Sequence, residues 1–287
     1  MTKKTNIPNQ SLQIPKAITR TAKLLQAISP KLATLFAARL FTTPLKHSIP
    51  KRELHMEQNS QQQKLWIPEI NKEIQLYHYG TSDRKVLLVH GWSGRGTQLV
   101  KIADTLLQNG FSTINFDAPA HGKSGSKTTL MPEFIASILE IDKQFGPFDF
   151  AIGHSLGGMS ILNAIKRGLA VKKAVIIGSG DIIQDIIDNF IIKLELKPEI
   201  APMLKMHFEK KHGVEMESYS ASFAAKSVEI PVLVIHDKFD DEIQYTAAYN
   251  ILRNLKNGEI LITENLGHRK ILGDKNVISK TIDFITQ

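Results

Sequence analysis

The 287-residue sequence contains no cysteine. Disulfides, thiolate metal sites and a cysteine nucleophile are therefore excluded at once. Long hydrophobic runs are also missing: no stretch approaches the roughly 18 uninterrupted apolar residues of a membrane span. Near the N-terminus, Asn6, Pro8, Asn9, Gln10, Ser11 and Gln13 stand where a secretion signal needs its apolar run, so the expectation is a protein without a cleaved signal, located in the cytoplasm. Acidic residues are scarce at one end only. Residues 1–64 hold 11 Lys and Arg against Glu53 and Glu57, an excess of nine, whereas the whole chain carries +8, so the remaining 223 residues sum to −1. A nearly neutral body behind a basic leader argues against a nucleic-acid-binding domain, whose basic face belongs in the folded body. With 42% hydrophobic and 22% charged residues, disorder and collagen-like repeats are excluded and a large core is expected.

What is present beyond residue 64 is an alternation of short β-rich runs with helical patterns, the signature of a largely parallel sheet covered on both faces. Lys64–Ile70 and Glu73–His78, joined at Asn71, read as a leading hairpin. Six buried strands follow, at Lys85–His90, Ser112–Asp117, Phe148–His154, Lys173–Gly178, Val232–Asp237 and Glu259–Thr263. Their apolar cores are continuous, as in Val86, Leu87, Leu88 and Val89, where a half-exposed strand would alternate. Helices are expected over Thr97–Gln108, Pro132–Gln144, Ser155–Arg167, Asp241–Leu255 and Asn276–Thr286.

Two segments stand outside this rhythm. Asp181–Glu229 separates two strands by nearly fifty residues, far beyond the roughly 2–6 of an ordinary connection. Ile182, Ile183, Ile186, Ile187, Phe190, Ile191 and Leu194 give it an apolar helix face. We read about 182–229 as a small helical cap over a site. The leader, residues 1–63, contains two amphipathic stretches, Ala22 to Ile28 and Leu32 to Phe41, broken at Pro30. Their charges fall around both stretches, which favours docking on the body or solvation over lying on a membrane.

Chemistry concentrates at Gly153-His154-Ser155-Leu156-Gly157, a G-x-S-x-G pattern between a strand and a helix. A serine on so sharp a turn needs small residues two before and two after it. The turn also leaves its hydroxyl above a helix N-terminus, where amide donors favour negative charge. A serine hydroxyl needs a base, and the base an orienting acid. Of ten histidines, His268 alone follows the last predicted strand directly. Asp240 lies in the loop after Asp237, and the order Ser155, Asp240, His268 is that of one particular fold. Asp241 and Asp181 remain alternatives for the acid. His90 and His154 read as structural neighbours of the site; Asp117, Lys123 and Ser124 read as structural parts of a turn.

With these residues in place, the chain resembles the α/β-hydrolase superfamily across residues 64–287. The resemblance rests on His90-Gly91-Trp92, on Asp117-Ala118-Pro119-Ala120-His121-Gly122-Lys123-Ser124, on Gly153 to Gly157, and on the His236-Asp237-Lys238-Phe239-Asp240 and Leu266-Gly267-His268 loops. It implies an α/β-hydrolase fold with Ser155 as nucleophile, His268 as base and acid, and Asp240 as its partner. Backbone amides of Trp92 and Leu156 would be the oxyanion donors. No metal or organic cofactor is implied, and the substrate would be a small-molecule ester with a small or medium apolar acyl group. Thioesterase, lipase and noncatalytic ligand-binding or partner-binding members of the fold are the alternatives. The oligomeric state is not indicated.

Overall fold

A computed structural model describes residues 14–287; the polar N-terminal residues on which the absence of a signal was read lie outside the described residues. Three helices come first, α1 (Lys16–Ile28), α2 (Pro30–Phe41) and α3 (Lys51–Asn59). Next come β1 (Gln61–Ile67) and β2 (Lys72–Tyr79), joined where Asn71 takes the left-handed conformation. The body continues as β3 (Lys85–Val89), α4 (Val100–Gln108), β4 (Ser112–Asp117), α5 (Met131–Phe145), β5 (Phe150–His154), α6 (Leu156–Lys166) and β6 (Lys173–Ile177). The insertion follows as α7 (Ile183–Lys193), α8 (Ile200–His212) and α9 (Ala221–Ala225), and then β7 (Val232–Asp237), α10 (Thr246–Asn254), β8 (Gly258–Thr263), α11 (Gly267–Lys270) and α12 (Lys275–Thr286).

The strands form one eight-stranded sheet in the order β1-β2-β4-β3-β5-β6-β7-β8. β2 runs antiparallel to both neighbours and all other pairs are parallel. The continuous apolar runs are explained by cover on both faces. Val86, Leu88, Ile152, Val175, Ile177, Leu233 and Ile235 face a core with α4 and α12. Leu87, Val89, Ala151, Ile176 and Val234 face a second core with α5 and α6. Chain order reverses between β3 and β5, so the loops leaving those two strands part there and open a crevice at their carboxyl ends.

Two helix starts differ from expectation for local reasons, and one helix is new. The helix expected from Asp241 starts at Thr246, because the Asp240 carboxylate takes the N–H groups of Glu242 and Ile243 and holds the chain in a loop. α12 starts at Lys275, where the Asp274 side chain accepts from the N–H of Asn276 and Val277. The polar helix α3 was not anticipated. It is fastened through Met56 and Glu53, both fully buried. The Glu53 carboxylate accepts from Arg95 Nε at 2.6 Å, Arg95 Nη2 at 3.1 Å and Thr97 Oγ1 at 2.8 Å, which ties the leader to the loop after β3. α2 also docks on the body, the Phe41 ring meeting Phe190 edge-on at 5.2 Å and Phe208 at 5.7 Å. No helix among the described residues is long and apolar enough to cross a membrane.

Two buried histidines pin the loops at the crevice. His90 accepts the Ala118 N–H on Nε2 at 3.0 Å and donates from Nδ1 to the Gly91 carbonyl at 2.7 Å. His121 accepts the Ser93 N–H on Nε2 at 3.0 Å and donates to the Pro119 carbonyl at 3.0 Å. Each ring must be neutral, since protonation would put a second donor against an N–H. Burial pushes His90 down to about 4, and burial together with the nearby His90 pushes His121 down to about 3.

Two outcomes follow. Glu53→Ala strands the Arg95 guanidinium, which is largely buried, and should cost about 3–5 kcal/mol, read as a lowered urea midpoint. Between the unfolded histidine pKa of about 6.5 and these depressed values, the unfolded chain binds protons that the native state refuses, so stability falls with pH in that window. Urea unfolding at about pH 7 and about pH 5 should show the lower free energy at the acidic value; an unchanged or higher value there would contradict the neutral-histidine assignment.

Candidate functional site

The turn from β5 into α6 is set by contacts that only glycine permits. A Cβ on Gly153 would lie 2.6 Å from the Gly157 carbonyl carbon, and a Cβ on Gly157 would lie 2.3 Å from the Val89 carbonyl oxygen. A Cβ on Gly91 would press on the Ser155 Cβ at 2.8 Å. Ser155 sits at the apex with φ 53 and ψ −121, a backbone region that a side-chain-bearing residue rarely adopts. Its N–H is anchored to the Ile177 carbonyl at 2.8 Å. The close packing of β3, β5 and α6 thus requires small residues on either side of Ser155.

Two backbone N–H groups near this turn are left without a backbone acceptor among the described residues. The Gly91 carbonyl accepts from His90 Nδ1 and from the Gly94 N–H at 3.0 Å. Because a trans peptide holds its N–H opposite its carbonyl, these two bonds also fix the direction of the Trp92 N–H. That N–H has no acceptor among the described residues. The Leu156 N–H opens α6 and has no partner within its own helix. Such donors suit an oxygen that gains negative charge.

The structure brings His268 and Asp240 together: Nδ1 donates to the Asp240 Oδ2 at 2.7 Å, leaving Nε2 as the basic nitrogen. Both side chains are almost fully buried. Burial alone would raise the Asp240 pKa, but hydrogen bonds from His236 and His268, the imidazole charge and the Ile243 N–H outweigh it and hold the carboxyl far below the usual range. The alternatives lie elsewhere. Asp241 is exposed. Asp181 gives its Oδ1 to the Ser222 N–H at 2.9 Å and its carbonyl to the Ala221 N–H at 2.8 Å, closing the neck of the insertion. His154 donates from Nε2 to the His268 carbonyl at 2.9 Å, and the two rings lie 4.7 Å apart. Burial, with the neighbouring His268, pushes His154 down to about 3, so it is a neutral support.

Sequence reading missed two residues. Asp237, fully buried at the end of β7, accepts on Oδ1 from Phe239 N–H and Gly267 N–H, each at 2.9 Å. Its Oδ2 accepts from Thr263 Oγ1 at 2.8 Å and Leu266 N–H at 3.0 Å. One carboxylate therefore clamps the Asp240 loop to the His268 loop; a charged residue closing an otherwise apolar strand was the available signal. Glu242 is the other, with its Oε2 3.9 Å from His268 Nε2 and its Oε1 paired to Arg269 at 3.0 Å. Asp117 and Ser124 are structural, as read. Asp117 takes the N–H of Gly96 and Lys123, each at 2.7 Å, and the Tyr77 hydroxyl at 2.9 Å, while Ser124 Oγ takes the Gln75 N–H at 2.8 Å.

Ser155, Trp92 and Glu242 open onto one cavity of about 770 Å³. Ile186 and Phe190 of α7 and Phe208 of α8 contribute to its walls, so the insertion lies against it; Leu40 and Phe41 of α2 line it as well. The apolar face of α7 divides, with Ile187 and Ile191 buried in the core and Ile183, Ile186 and Phe190 lining the cavity. Among the described residues no group of three or more His, Cys, Asp or Glu is placed to hold a metal ion.

Known proteins share this fold. An esterase of Pyrococcus furiosus superposes with TM-score 0.65 at 16% identity, covering 85% of this chain and 98% of its own. An esterase of Exiguobacterium antarcticum gives 0.62 at 15%, with 78% and 99% coverage. A bromoperoxidase of Bacillus anthracis gives 0.61 at 15%, with 79% and 99%. At these identities the likeness is one of fold. No protein of curated function matches the sequence. The model of the alpha/beta hydrolase family matches residues 86–256, more than half of the chain and the whole stretch from β3 to α10, and the protein belongs to that family.

Proposed function

We propose that the protein is a serine hydrolase that cleaves a carboxylic ester through an acyl-enzyme, with Ser155 as nucleophile, His268 as general base and acid, and Asp240 as the residue that fixes the imidazole. The observation that carries this reading is the 2.7 Å bond from His268 Nδ1 to Asp240, which leaves Nε2 as the basic nitrogen 3.9 Å from Glu242, a residue that lines the same cavity as Ser155. Nε2 takes the hydroxyl proton as Oγ attacks the carbonyl carbon. The oxygen of the tetrahedral intermediate receives the N–H groups of Trp92 and Leu156. Collapse breaks the bond to the leaving alcohol, which takes its proton from the imidazolium; water, deprotonated by the same nitrogen, then releases the acid and restores Ser155. The Glu242 carboxylate at 3.9 Å favours the imidazolium that forms in each half-reaction.

The apolar lining of the cavity supports an acyl chain of small or medium length, and its volume lies in the range of small-molecule sites. A thioester differs only in its leaving group, so a chain-length series of p-nitrophenyl esters and acyl thioesters separates esterase, lipase and thioesterase preferences. In that assay Ser155→Ala should lower kcat by at least about 10⁴-fold. Asp240→Asn should lose about 10⁴-fold, since the amide favours the wrong imidazole tautomer. Asp241→Asn and Asp181→Asn should keep kcat close to the parent value. Full activity in Ser155→Ala, or a loss in Asp241→Asn equal to that in Asp240→Asn, would overturn the assignment.

A further inference from the structure

The α1–α2 hairpin docks one face on the body and leaves a second apolar face uncovered. Its buried positions are small: Thr19, Ala22, Ala33, Thr34, Ala37 and Ala38. Four large aliphatic residues nevertheless face outward, Leu24 and Ile28 exposed by 64% and 66% and Leu32 and Leu35 by 41% and 44%, while Ile18, Phe36, Leu40 and Phe41 pack half-buried against the core. Helices that dock on a soluble body place such residues inward. Alanines let these helices approach one another and the body closely, and leave the leucines outside.

The charges, which the sequence reading spreads around both stretches, gather beside the apolar face once the helices are placed. On α1, Lys16, Arg20 and Lys23 lie one turn apart in a single row, and Leu24 and Ile28 form the row beside it. On α2, Lys31, Leu32, Leu35 and Arg39 share one exposed face. Residues 1–52 contain ten Lys and Arg and no Asp or Glu. Lys23 pairs with Glu195; Lys16, Arg20, Lys31 and Arg39 make no ion pair among the described residues. An apolar row bordered by a basic row is the arrangement that seats a helix in a bilayer interface, with aliphatic side chains below the headgroups and long cationic side chains reaching back to them.

We infer that the outer face of the α1–α2 hairpin, with Leu24, Ile28, Leu32 and Leu35 at its centre, docks on an anionic lipid bilayer. The net charge selects this occupant. A second copy of the chain would set one set of uncompensated cations against another, whereas an anionic membrane surface attracts each of them. Because Leu40 and Phe41 at the end of α2 line the main cavity, docking would bring that cavity close to the lipid surface.

Vesicle sedimentation of the full chain tests this. With phosphatidylcholine vesicles containing roughly 30% phosphatidylserine in about 0.1 M salt, the protein should pellet; with phosphatidylcholine alone, or in about 1 M salt, it should stay in the supernatant. The double variant Leu24→Ser, Ile28→Ser alters only exposed positions, so its thermal midpoint should match the parent while its affinity for the mixed vesicles falls by about tenfold. Failure to pellet at low salt, or equal binding by parent and variant, would overturn the proposal. So would a dimer in light scattering that the double variant abolishes, since a second copy would then cover this face.

Discussion

The strand-to-helix turn at Ser155 is the constraint on which the rest of the molecule depends. Its positive φ places a side-chain-bearing residue where backbone conformation is costly, and such a conformation persists only when its surroundings over-determine it. Here the surroundings are close backbone contacts. Gly157 lies against the Val89 and His90 carbonyls, and Gly153 against Gly157 and Gly158. The parallel pairing of β3 with β5 sets those contacts, and the apolar cover on both faces sets the pairing.

Around the turn, polar groups are arranged so that loops hold still. His90, His121 and His154 sit buried and neutral, each bonding a loop backbone. Asp237 and Asp240 are buried carboxylates whose oxygens are taken up by backbone and side-chain donors. Neutral imidazoles tie down the loops that carry Trp92 and His268. Two carboxylates fix the pair of loops that carry Asp240 and His268. The reactive geometry thereby rests on side chains whose own partners are satisfied, which is what preorganised electrostatics requires.

Much of this was legible in the sequence because the signals were local. Continuous apolar runs placed β3 to β7 to within a few residues, whereas β8, expected to be buried, is half-exposed because it pairs on one side only at the sheet edge; the glycine spacing around Ser155 follows directly from the steric demand of its turn. Asp240 is preferred to Asp241 on the resemblance alone, since adjacent carboxylates differ only in the direction the backbone gives them; in the structure the turn feeds the Glu242 and Ile243 amides to Asp240 and sets it against His268. α3 escaped notice because just two of its nine residues are buried, one of them a glutamate. The leader's part in the cavity was hidden for another reason. Leu40 and Phe41 meet Phe190 and Phe208 across more than 140 residues of chain, and no local pattern encodes such a contact.

The central claim is that Ser155 is an activated nucleophile. Mass spectrometry of the folded protein after exposure to a fluorophosphonate measures this without reference to any substrate. The account predicts one covalent phosphonyl adduct, on Ser155, formed far more slowly in His268→Ala. No adduct on protein with a native circular dichroism spectrum, or an adduct on a different serine, would contradict it.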